Sequence, residues 1–268
     1  MKKVTLRFLA AILTFCFGLT CTWQYRNYVA YRQIKLQIDR ENKLKSELLI
    51  RQHEIDSLLS TLVPAKTAER DASFFECIGP KTSHVLDELL RISNKSPQAR
   101  SQVIATLVRV LEKSPEYHGC IVSEPWTTAV YTLGDLKATE AINVMVRNLD
   151  ETGSLMVTLG YRPVLGAVVK IGEPAVPRLI EALDDERPWV RLEATSALTC
   201  IGQPAFGKLE EAMRNGSPEK KAGAALALAW MGRTESRLAI ERAVKEETDP
   251  EALKKLKHVA DEMKSWGY

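Results

Sequence analysis

Between Gly172 and Gly232 the apolar positions follow a helical spacing that is written twice. Val176, Leu179, Ile180 and Leu183 stand at i, i+3, i+4 and i+7 and lay one stripe along a short helix. Val190, Ala194, Ala197, Leu198 and Ile201 lay a second stripe, and Gly202 closes it as a glycine just past a helix end does. Pro174 suits a first helical turn, where an N–H has no acceptor, and Asp184-Asp185-Glu186 is expected to cap the second helix near Pro188. Thirty residues on, Pro204-Ala205, Leu209, Met213, Ala224, Ala227-Leu228 and Met231 repeat the pattern. Neither helix can bury its stripe alone, so pairs must stack, and the alanines let neighbouring helices approach closely. The predicted fold is all-α, an α-solenoid of helical hairpins over residues 77–268. Leu198 is a core position of that stack, and Glu193 is read as an exposed position on the second helix.

Upstream the repeats are irregular. Val85, Leu86, Leu89 and Leu90 mark one helix, and Val103, Ile104, Leu107, Val108 and Leu111 mark another. Trp126 to Leu133 reads as a second helix closed by Gly134, and Glu140 to Leu149 as the next first helix. Gly134 and Gly172 are thirty-eight residues apart, eight more than the strict repeat, so an insertion lies near 150–160. Such loops line one edge of a solenoid and often carry its binding. The lysine-rich stretch from Pro250 to Met263 reads as a polar terminal cap.

Residues 30–63 read as one long helix without glycine or an internal proline. Placing Ile34, Glu41, Leu48, Ile55 and Leu62 at a, and Ala30, Gln37, Leu44, Arg51 and Leu58 at d, leaves seven of ten seam positions apolar. Both a coiled-coil homodimer and a lone stalk fit this pattern. Residues 64–76 form a polar linker. Residues 1–29 carry an uncharged run from Phe8 to Tyr25, about 27 Å as a helix, with basic residues before it and Trp23, Tyr25 and Tyr28 at its far end. An uncleaved signal-anchor is the main expectation; a cleaved signal peptide, or a lipid-modified Cys21, are the alternatives. With such an anchor the repeat domain is expected outside the cytoplasm.

Charge separates these regions. Residues 1–36 hold six basic and no acidic side chains, 37–70 hold six of each, and the chain as a whole is +3, so residues 71–268 sum to −3. A slightly acidic repeat domain argues against nucleic acid as a partner, since a binding groove would need a basic face.

The run Gly172-Glu-Pro-Ala-Val-Pro-Arg-Leu-Ile-Glu-Ala-Leu-Asp-Asp, with Val190-Arg-Leu-Glu-Ala-Thr-Ser-Ala-Leu and Ile201-Gly202, resembles a HEAT repeat of the short bacterial type also found in phycobilisome lyases. The resemblance implies an acidic residue ending the first helix and a basic one starting the second, which Asp185 and Arg191 match. Asn215 and Lys221 occupy those places in the next copy, leaving the implied ladder of ion pairs incomplete. For function the resemblance implies either a scaffold for protein partners or a lyase-like part in attaching a cofactor. A structural envelope protein that oligomerises through its stalk is a third reading.

No nucleophile elbow, phosphate loop or zinc-protease helix is present, so the sequence on its own motifs is read as that of a non-enzyme with no cofactor and no metal. Cys77, His84, His118 and Cys120 have the types zinc prefers but no finger spacing, and a Cys77–Cys120 disulfide or two separate thiols are the competing readings. Lys170, Cys200 and Trp230 stand thirty residues apart on successive second helices. Trp230 and Lys170 are the candidate partner-binding residues if that row faces the concave side of the solenoid; otherwise Trp230 fills space between stacked repeats.

Overall fold

Proline and short polar residues set where the helices start. Pro97, Pro163, Pro188, Pro218 and Pro250 each sit in a first turn, where the N–H they lack would have no intrahelical acceptor. Ser96, Ser217 and Asp249 cap three of these helices by accepting from the N–H groups of Ala99 (3.1 Å), Lys220 (3.1 Å) and Ala252 (2.8 Å). A computed structural model describes residues 32–33, 35–61, 80–113, 117–118, 121–122, 124–151 and 162–266.

Residues 35–60 form α1. The rest are α2 (Pro80–Ser93), α3 (Pro97–Leu111), α4 (Glu124–Asp135), α5 (Ile142–Arg147), α6 (Pro163–Ile171), α7 (Val176–Ala182), α8 (Pro188–Ile201), α9 (Gln203–Asn215), α10 (Pro218–Trp230), α11 (Thr234–Glu246) and α12 (Pro250–Ser265). A two-residue antiparallel ladder, β1 (Tyr117–His118) with β2 (Ile121–Val122), is the one strand pairing among the described residues.

The chain divides into two compact units, Met1–Glu54 and Ile55–Tyr268. In the second, the even-numbered helices α2 to α12 pack side by side in one layer and the odd-numbered helices α3 to α11 in another, each odd helix paired with the even one that follows it. This is the stacking the repeat pattern demanded. The alanines at 194, 197, 224 and 227 are fully buried, as are Leu179, Leu198, Leu209 and Leu228. Each of those leucines contributes roughly 2 kcal/mol by leaving water.

The turns after α6, α8 and α10 place Gly172, Gly202 and Gly232 at φ of 79°, 73° and 63°, a region a side chain rarely adopts. Gly134 does something else. A Cβ there would lie 2.8 Å from the Cα of Ala167, so this glycine lets α4 and α6 approach, while α4 runs on to Asp135 and Lys137 takes the positive φ of 48°. The expectation that Gly134 ends its helix is corrected accordingly.

Three other expectations change. The unit boundary falls between Glu54 and Ile55, inside the segment read as a spacer: Ile55 is fully buried in the repeat core, with Leu58 and Leu59 packed against it. Arg187, not the acidic run, is the N-cap of α8 and has no side-chain cap bond; Asp185 instead accepts from the Arg187 backbone N–H and side chain, each at 3.0 Å. Arg191 does not meet the Asp185 carboxylate, because its guanidinium donates to the carbonyls of Asp185 (2.7 Å) and Glu186 (3.1 Å). Successive units are instead tied by Asp150–Arg187 (3.0 Å), Asp184–Lys220 (2.9 Å) and Lys221–Glu247 (2.5 Å). No described helix is long and apolar enough to cross a membrane, and the anchor expected at 1–29 and the linker at 64–76 lie outside the described residues.

Candidate functional site

The two thirty-residue copies differ in side-chain volume at the middle of their second helices. Where α8 carries Leu192 and Glu193, α10 carries Ala222 and Gly223. Deleting that side-chain volume from the central helix of three leaves a trough between α8 and α12. A groove of about 560 Å3 lies there, floored by Ala222, Gly223 and Leu226 and walled by Leu192 of α8 and by Lys255, Val259 and neighbouring side chains of α12. Gly223 is pressed on Leu183, whose Cδ2 would lie 3.0 Å from an added Cβ. The floor is therefore as low as this packing permits.

Charged side chains rim the apolar floor, and most are already held. Lys255 bridges Glu219 (2.8 Å) and Glu251 (3.6 Å), which raises its pKa through the Glu219 hydrogen bond above all. His258 stands 3.5 Å from Glu262, and Arg191 is held by the two carbonyls described above. The rim carries Arg191, Lys254 and Lys255 against Glu219, Glu251 and Glu262. Three against three leaves little net charge, so an apolar segment is better suited to the groove than a polyanion.

Trp230 continues the same stripe. Glu219, Gly223, Leu226 and Trp230 follow one another at helical spacing on α10, so Trp230 lies on the same helix face beyond the groove's lining, 38% exposed. The rest of its surface is covered, so both an aromatic contact for a partner and packing between repeats fit its place. Cys200, at the equivalent place on α8, is exposed with a free thiol. Lys170, at the end of α6, is exposed and paired with Asp135; it lies in the same row but two even-numbered helices from the groove. Cys77 and Cys120 lie outside the described residues. Among the described residues no group of three or more His, Cys, Asp or Glu side chains could hold a metal ion.

Glu193 corrects a further expectation. It is 2% exposed, not on the surface, and its nearest cation is Arg162, whose Nε lies 3.5 Å from Oε1. Burial holds its carboxyl above the ordinary carboxylate range, with Arg162 pulling the other way. Sequence reasoning missed both the buried carboxylate and the groove. The signal for the groove was present in the loss of side-chain volume from 192–193 to 222–223. The signal for Glu193 was not, because α6 begins at Pro163, thirty residues before it, and how the shorter helix covers α8 is a matter of packing.

No protein-family profile matches the chain, and no curated protein does. Among solved structures it matches the complex of CpcE and CpcF of phycocyanin lyase from Nostoc sp. PCC7120, with 17% identity, 78% of this chain and 82% of that one covered, and a TM-score of 0.30. The helical-repeat fold stands on the described helices themselves, and the likeness to that complex of two protein subunits is distant. The matched protein is by its name a lyase, and the expectation that this chain is not an enzyme is withdrawn on that finding.

Proposed function

We propose that this chain is a helical-repeat adaptor that binds an apolar segment of a partner protein in the groove over α10. The observation that carries the reading is the groove itself, an apolar floor of small residues over α10, with the partly exposed Trp230 one turn farther along the same helix face. A preformed trough between packed helices costs a partner little ordering on the repeat side. Trp230 gives an aromatic contact at one end, the kind of side chain that dominates binding energy. The chain is held to a membrane by residues 1–29, with the repeats outside the cytoplasm, and residues 30–54, which end where Ile55 enters the repeat core, both space the repeats from the bilayer and pair two copies.

A photo-crosslinking amino acid at Ala222 or Trp230 in living cells tests the groove, with Lys208 on the opposite layer as control. One discrete extracytoplasmic polypeptide is expected from Ala222 and Trp230 and none from Lys208. Equal adducts from all three sites, or none from the groove, overturn the reading, and cytosolic adducts overturn the placement.

A lyase-like part in cofactor attachment is the second reading, favoured by the resemblance of the Gly172–Gly232 copies to phycobilisome-lyase repeats. A coloured or other small molecule that copurifies with the chain, and is lost on Ala222→Leu, is its expected sign.

A further inference from the structure

The groove over α10 carries one charge that nothing in it answers. Glu219 and Glu251 share Lys255, at 2.8 Å and 3.6 Å, Glu262 stands 3.5 Å from His258, and Arg191 donates to two carbonyls. Lys254 is exposed and, among the described residues, has neither a hydrogen bond nor an ion pair. Its place follows from the repeat. α10 and α12 each begin with a capping residue and a proline, Ser217-Pro218 and Asp249-Pro250, thirty-two residues apart. Their buried residues keep that interval, Ala224, Ala227 and Leu228 being answered by Leu256, Val259 and Ala260. The two helices lie side by side, and the bridge from Lys255 to Glu219 joins their N-terminal ends, so they run in the same direction. Lys254 is then level with Ala222, and Leu192, thirty residues before Ala222, is level with it on the opposite wall.

At this level the groove is a floor of one methyl group between a leucine and a lysine. The lysine stem lies along apolar surface while its ammonium stays at the lip, in water. A side chain that settles on Ala222 displaces water from around that ammonium, and a charge that loses water without gaining a counter-charge costs binding. The carboxylates of the rim are already engaged, so the counter-charge must come from the occupant. One is enough. With three basic and three acidic side chains around the rim, a second carboxylate would meet Glu219 or Glu251.

We propose that the protein segment bound in the groove carries a single acidic side chain beside the apolar one that rests on Ala222, and that Lys254 recognises it. The inference rests on the adaptor reading and names the chemistry of its partner. The test places the photo-crosslinking amino acid at Trp230 of the full chain in living cells, which leaves the floor at Ala222 unchanged. Wild type, Lys254→Arg and Lys257→Glu are expected to give the same adduct, and Lys254→Glu to reduce it about tenfold or more, because like charges facing each other across an interface repel strongly. Lys257 is exposed on the same helix outside the groove's lining, so its reversal changes the net charge equally. Lys254 is exposed and unpaired among the described residues, so the melting temperatures of the four purified chains are expected to match. Once mass spectrometry has mapped the crosslinked partner segment, changing its acidic residue to lysine is expected to restore the adduct with Lys254→Glu. An undiminished adduct in Lys254→Glu, an equal loss in Lys257→Glu, or no restoration by the partner's reversal overturns recognition through Lys254 and leaves the groove standing. No adduct from the wild-type background overturns the groove itself.

Discussion

The hairpins α7–α8 and α9–α10 share a template and differ in what they do with one pair of positions. In the first, Leu192 and Glu193 fill the second helix, and the buried carboxylate leans on Arg162 across the stack at 3.5 Å. In the second, Ala222 and Gly223 leave that volume empty, and a groove opens. The residue equivalent to Arg162 one repeat later is Leu192, so a carboxylate at 223 would lack that partner. A repeat thus offers each copy the same place and lets it become either a buried charge or an open groove. The repeated stripes build the stack, and the positions where the copies disagree shape its surface.

Leu198→Asp attacks what both copies share and has the largest expected effect. A charge in place of a fully buried leucine loses the burial term and adds desolvation, about 4 kcal/mol or more, enough to unfold a marginally stable domain. Retention of the wild-type melting temperature would mean the helices do not stack as described.

Gly223→Glu, which writes the first copy's residue into the second, comes next. Leu183 would lie against the new Cβ and Leu192 where the first copy has arginine, so a loss of about 3 kcal/mol is expected in denaturant unfolding. A loss under about 1 kcal/mol would show that the new carboxylate escapes to solvent and that the two copies are not equivalent here.

Lys221→Ala weakens the link between units. The Lys221 hydrogen bond, with the Asp249 and Thr248 backbone N–H groups, holds the Glu247 carboxyl below its ordinary range. That contribution is present above the ordinary carboxylate pKa and is lost as pH falls through it toward the lowered value. About 2 kcal/mol should therefore be missing from the variant at neutral pH, with the gap to wild type narrowing in acid. A gap independent of pH would assign the effect to the lysine's packing.

Glu193→Gln is expected to have the smallest effect and the opposite pH dependence. The folded state raises this pKa, so the folded chain holds the proton more tightly than the unfolded one. The stability this gives is present below the ordinary carboxylate pKa and is lost as pH rises toward the raised value. At neutral pH the variant should match wild type or exceed it by up to about 1 kcal/mol, and the difference should vanish in acid. A variant clearly less stable at neutral pH would show that the Arg162 pair outweighs the cost of burial.

Much of the stack was legible along the chain because helical periodicity is local. Leu179, Leu198, Leu209 and Leu228 announce themselves by spacing alone, and all are buried. Glycine was legible only in part. At 172, 202 and 232 it serves the backbone, and repetition exposed that; at 134 it serves a neighbouring helix, and nothing local distinguishes the two uses. Ion pairs were read with the right residue types and the wrong partners. Asp185 holds Arg187 while Arg191 turns to carbonyls, a choice set by how tightly the α7–α8 turn closes.

The amino-acid sequence by itself determined the helices, the thirty-residue unit and the faces that must be buried, because each follows from residues within a turn or two of one another. Only the tertiary structure decided that Ile55 belongs to the repeat core, that Glu193 is buried and that Trp230 is open to solvent. Each of those depends on which helix lies alongside and how closely, and closeness between helices is settled by the sum of side-chain volumes across a layer, which no single stretch of chain contains.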